Sequence, residues 1–135
     1  LAAANVNRAY QLAASSIAIF TFLLFFLYPR FVSGEIDPDA MSPEDEGLLL
    51  AFDHLMFVGV MTMALFGTLA ATLHGKTLTM IDKVILWGIS IGVTGFAVGL
   101  ITLEQLPKRI FTPIMGTALL LGIAAYLKEM TAKKA

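Results

Sequence analysis

Two adjacent residues in an otherwise apolar stretch carry the strongest chemical potential in this chain: Asp53 and His54, within the segment FDHLMF at positions 52–57. Neutral imidazole is a common ligand for haem and for transition metals, and an ionisable group inside a bilayer is costly enough that it is usually paired or functional. Three kinds of chemistry fit. His54 could be the axial ligand of a haem or of a chlorophyll-type pigment. Asp53, His54 and Glu104 together could hold a divalent metal, copper or zinc being suited to nitrogen and oxygen donors. The same three could instead relay protons. Against these stands a structural reading. In it Asp53 is salt-bridged to Arg30, Lys108 or Arg109, and His54 bonds a neighbouring backbone group or carboxylate.

His74 cannot share a centre with His54, because twenty residues of continuous helix separate the two by about 30 Å. A bis-histidine haem within one copy is thereby ruled out. Met115, expected at a depth similar to His54, leaves a His/Met haem open, although methionine is a common filler of apolar contacts. Met56, Met61 and Met63 follow His54 at spacings that suit packing better than soft copper(I) binding. Ser15, Ser16 and Ser90 lie on apolar stretches with no histidine at matching depth, and no glycine-rich phosphate loop occurs. Independent catalytic activity as a hydrolase or transferase is disfavoured on these missing constellations. The chain has no cysteine, which excludes disulfides, thiolate metal sites and thiol nucleophiles.

The elements that must position these residues follow from composition. Of 135 residues, 58% are hydrophobic and 14% charged, and the mean hydropathy is +0.82. A soluble domain is nearer half apolar and a quarter charged, and one this small has too much surface for its volume to bury the excess. The expected fold class is an all-α integral membrane protein, a bundle of about four transmembrane helices forming a single domain over residues 1–135. A span needs roughly 20 residues, and four segments meet or approach this: 10–31, 47–73, 81–103 and 110–127. Residues 1–10 lack the basic-then-apolar layout of a signal peptide, so the first apolar run is expected to be a retained span. The net charge of −1 gives no basis for nucleic-acid binding.

Local chemistry marks the breaks. Ser42 can cap a helix beginning at Pro43, with Glu44, Asp45 and Glu46 at the positive end of its dipole. His74-Gly75 reads as the end of that helix, and Thr79 with Asp82 as a capping box for the next. Residues 104–107 close the third span, and Pro107 or Pro113 opens the fourth. The acidic loop 34–46, holding Glu35, Asp37 and Asp39, lacks the ligand spacing of a calcium loop and reads as a solvated loop and helix start. Tyr10, Tyr28, Trp87 and Tyr126 fall near the expected interfaces and read as anchors.

Basic residues favour one orientation. With the N-terminus inside, Arg8, Lys76, Lys83, Lys128, Lys133 and Lys134 lie inside and Arg30, Lys108 and Arg109 outside. Both termini are therefore expected in the cytoplasm and the acidic loop outside. On the third span Gly88, Gly92, Gly95 and Gly99 share one face, a smooth stripe that lets another helix approach closely. Ala64, Gly67 and Ala71 on the second span, or Ala118, Gly122 and Ala125 on the fourth, offer mates. At 100° per residue Asp53 shares the face of Ala64, Gly67 and Ala71, so it is expected to point into the bundle.

The aqueous segments are too small for a catalytic domain. The expected role is an accessory subunit of a membrane energy-converting or redox complex, such as a respiratory oxidase, a membrane monooxygenase or a photosynthetic assembly. Its expected partners are the lipid bilayer and other membrane subunits. Alternatives are a small homo-oligomeric channel or transporter using Asp53, and a membrane-embedded metalloenzyme.

Overall fold

A computed structural model describes residues 6–37, 40–75 and 77–132, with side chains from Gln11 onward except those at 12, 13 and 15. Asp39, Lys76, Lys133 and Lys134, and the side chains of Arg8, Tyr10 and Ser15, lie outside the described residues. Every described element is helical: α1 Val6–Val32, α2 Pro43–His74, α3 Met80–Ile101 and α4 Gln105–Ala132. Three of them, α2, α3 and α4, are long and apolar enough to cross a membrane. The apolar part of α1 is shorter, Ser16–Val32. The fourth helix starts earlier than hydropathy suggests, since its first turns, with Lys108 and Arg109, are polar but still helical.

The helix starts have clear causes. Ser42 accepts a hydrogen bond from the Asp45 amide (3.2 Å), with Pro43 in the first helical position and three acids in the first turn. Thr79 and Asp82 form a reciprocal capping box at the start of α3. Gly75 ends α2 at φ 71°, a conformation that glycine adopts without a Cβ penalty. On the opposite end, Arg30 Nη1 meets Asp45 Oδ1 at 2.9 Å as an ion pair, and its Nε donates to Glu35 Oε1 at 3.0 Å. These contacts tie the acidic loop back to α1.

The middle of α2 departs from α geometry. Leu55–Thr62 is a π segment of eight residues, and the Thr62 hydroxyl donates to the carbonyl of Phe57, five residues back (2.9 Å). A π turn advances each residue by less than an α turn does, so the two halves of α2 fall out of helical register. The burial pattern follows. Through this segment Leu55, Gly59 and Met63 are all buried at four-residue spacing, a line that would drift round a regular α-helix by about 40° at each step. Gly59, within this segment, lets α1 approach closely: a Cβ there would stand 2.9 Å from Ser16 Oγ.

The glycine face of α3 lies against α4. A Cβ on Gly88 would meet the Ala118 Cβ at 2.8 Å, and one on Gly92 would meet the Met115 backbone at 2.8 Å. Gly95 lies under the Phe111 ring, and Gly99 against Pro107 and Lys108. On α4 Gly122 receives the Phe66 ring of α2. Two apolar clusters fill the interior. One is built around Phe66, Ile85, Ile89 and Tyr126, the other around Leu55, Val93, Ala97 and Met115. Large apolar side chains cover the outer faces as well, among them Phe25, Trp87, Leu106 and Leu120, each more than half exposed.

Candidate functional site

The π segment decides what the Asp53-His54 pair faces. Asp53 is exposed on the outside of the bundle, contrary to the expectation that it turns inward with Ala64, Gly67 and Ala71. That expectation assumed 100° per residue over eleven residues, and the π turns between break the phase. Asp53 makes no ion pair among the described residues, and Arg30 is engaged with Asp45 and Glu35 instead.

His54 sits at the last α turn before the π segment, partly buried. Its Nδ1 lies 2.7 Å from the carbonyl oxygen of Leu50, one turn back. A carbonyl can only accept, so the hydrogen is on Nδ1 and donates to Leu50. In the neutral ring the other nitrogen, Nε2, carries the lone pair. The bond is the neighbouring-backbone contact that the structural reading expects of His54, and it is equally the arrangement by which a ligating histidine fixes its tautomer and ring orientation. The Phe96 ring of α3 packs against the imidazole at a centroid distance of 4.9 Å, and Phe52 stacks on Phe20 of α1 at 4.0 Å.

The other proposed ligands are not gathered there. Glu104 is exposed in the connection between α3 and α4. Among the described residues no group of three His, Asp or Glu side chains is arranged to hold a metal, so Asp53, His54 and Glu104 do not form one. Met115 is buried in the apolar cluster with Leu55 and Val93, backed by Gly92. What the geometry offers at His54 is one imidazole nitrogen, suited to a single axial bond.

A second polar cluster joins the other end of the bundle. Asp82, fully buried, takes hydrogen bonds from the Thr79 amide (2.7 Å), the Thr79 hydroxyl (2.8 Å) and the Tyr126 hydroxyl (2.8 Å). His74 places Nδ1 2.8 Å from Asp82 Oδ2 and Nε2 2.5 Å from Glu129 Oε2. Tyr126, expected as an interface anchor, is instead 1% exposed, with its ring edge-on to Phe66. Trp87 and Tyr28 do stand outward. The sequence reading took His74 as a helix end too far from His54 to share a centre with it, and did not single out Glu129. The available signal was depth: His74, Asp82 and Glu129 all fall at span ends on one side of the bundle.

In comparison with known proteins, no protein-family model, curated protein or solved structure matches this chain.

Proposed function

We propose that this chain is a membrane-embedded accessory subunit of a larger energy-converting or redox assembly, and that His54 lends one axial ligand to a cofactor of that assembly. Three long apolar helices support insertion in a bilayer, and the shorter apolar stretch of α1, Ser16–Val32, is read as a fourth span. The observation that carries the cofactor reading is the His54 tautomer. Nδ1–H is committed to Leu50, and Nε2 is the nitrogen left to bind. Haem or a chlorophyll-type pigment suits a lone imidazole, because most of its coordination is supplied by the macrocycle. Copper or zinc held by this chain alone is disfavoured, since a second and third protein ligand do not converge.

Asp53 supports the assembly reading independently. A carboxylate facing outward from a span, roughly 8 Å below the start of the apolar run at Leu48, is costly against lipid. A neighbouring subunit that offers a donor or a base removes that cost. The excess of basic residues on the side of the α2–α3 loop favours both termini in the cytoplasm. The test is to extract the protein from its native membrane in mild detergent, identify co-migrating chains and record a visible spectrum. Stoichiometric partners with a chromophore support the reading, and a colourless homo-oligomer without partners contradicts it.

The outward Asp53 also favours a second reading, a homo-oligomeric channel or transporter in which Asp53 lines a path between copies and selects cations or protons. In that case Asp53→Asn abolishes ion flux in vesicles reconstituted with this chain alone.

A further inference from the structure

We propose that His74 is the pin of a proton-operated latch that fastens the last turn of α4 to the α2–α3 hairpin. This inference concerns the end of the bundle remote from His54 and does not rest on the assembly reading.

The two oxygens of Asp82 receive the Thr79 amide, the Thr79 hydroxyl and the Tyr126 hydroxyl, and Oδ2 also faces His74 Nδ1. The Thr79 amide can only donate and the Thr79 and Tyr126 hydroxyls are placed to donate as well, a set that favours the carboxylate form of Asp82, toward which His74 Nδ1 carries a hydrogen. Nε2 and Glu129 Oε2 are 2.5 Å apart, a contact that needs one proton between them. With that proton the imidazole bridges two carboxylates from two different helices. Without it, a nitrogen lone pair opposes a carboxylate oxygen, and the contact becomes repulsive.

The two sides of the bridge differ in freedom. The Asp82 side chain is 0% exposed and fixed by its capping role, whereas the Glu129 side chain is 38% exposed. An open hollow lined by Thr79, Met80, Ile81, Val84 and Glu129 lies beside the link and leaves Glu129 room to move. Loss of the proton therefore breaks the outer half. Glu129 swings into water, His74 stays on Asp82, and the last turn of α4 is released. Among the described residues the groups facing His74 are Asp82 and Thr79 from α3 and its cap, and Tyr126 and Glu129 from α4. Lys83 and Lys128 are exposed, with no ion pair to the cluster among the described residues. The sign follows. The latch is closed at low pH and opens as pH rises through the loss of the Nε2 proton.

Because the chain has no cysteine, Thr77→Cys and Thr131→Cys can carry a pair of spin labels in the full chain in lipid nanodiscs. Their separation would be measured by pulsed electron resonance from about pH 5 to about 9, while ¹⁵N-histidine NMR reads His74 in a His54→Gln background. A narrow distribution is expected at low pH. It should broaden and lengthen by about 5 Å, one helical turn, at the midpoint where His74 loses its second ring proton. Glu129→Gln should stay narrow at every pH, since its amide can accept from or donate to the ring. Glu129→Ala should stay broad throughout. An unchanged separation while His74 deprotonates overturns the latch, as does a His74 that never titrates across that range.

Discussion

The Tyr126 hydroxyl donates to Asp82 Oδ1 across 2.8 Å, joining residues 44 apart in the sequence within an apolar interior. The bond fixes the depth of α4 against α3, because a buried carboxylate that loses a donor cannot turn to water for another. Tyr126→Phe keeps the edge-on contact with Phe66 and removes only the hydroxyl. The expected cost is about 1.5–3 kcal/mol, the range for a hydrogen bond to a charged group. Thermal unfolding of the purified chain in detergent, followed by circular dichroism, should show a midpoint several degrees lower.

Close helix approach gives a second prediction with its own control. Gly92→Ala places a Cβ 2.8 Å from the Met115 backbone, which cannot move without separating α3 from α4. Gly116, in the interior of α4, has nothing within 4 Å of an added Cβ. Gly92→Ala should destabilise by about 1–3 kcal/mol, as overpacking does. Gly116→Ala should be neutral or stabilise by about 0.5–1 kcal/mol through helix propensity. Equal effects in the same melting experiment would contradict the packing described.

Asp53 separates fold from assembly. It is exposed and unpaired among the described residues, so Asp53→Asn should leave the stability of the isolated chain within about 0.5 kcal/mol of the parent. The same change should weaken retention of partner chains during extraction from the native membrane. Quantitative mass spectrometry of the co-purified subunits, compared with the melting midpoint, reads both at once. A large loss of stability with unchanged partners would mean that Asp53 works inside the chain.

Much of the fold is legible because its cues are local. Ser42 and Thr79 cap the helices whose starts they mark, Gly75 ends α2, and hydropathy finds the long helices. The face of Asp53 was not legible, because a phase argument assumes one helical pitch and nothing in residues 55–62 announces π turns. The His54 tautomer depends on a carbonyl one turn back, which spacing permits but does not require. The Asp82 cluster was half visible: its capping box is written within four residues, while Tyr126 and Glu129 arrive from a distant helix. Their meeting is a matter of tertiary packing, set where the Gly88–Gly99 face of α3 rests against α4.

Ligation of a cofactor by His54 Nε2, as proposed, is read out by the visible absorption spectrum of the complex extracted from its native membrane. The parent complex should show a chromophore in fixed ratio to this chain. His54→Ala should lose or shift that absorption while the chain still folds and co-purifies. An identical spectrum from the parent and from His54→Ala, with this chain present in both, would contradict the claim.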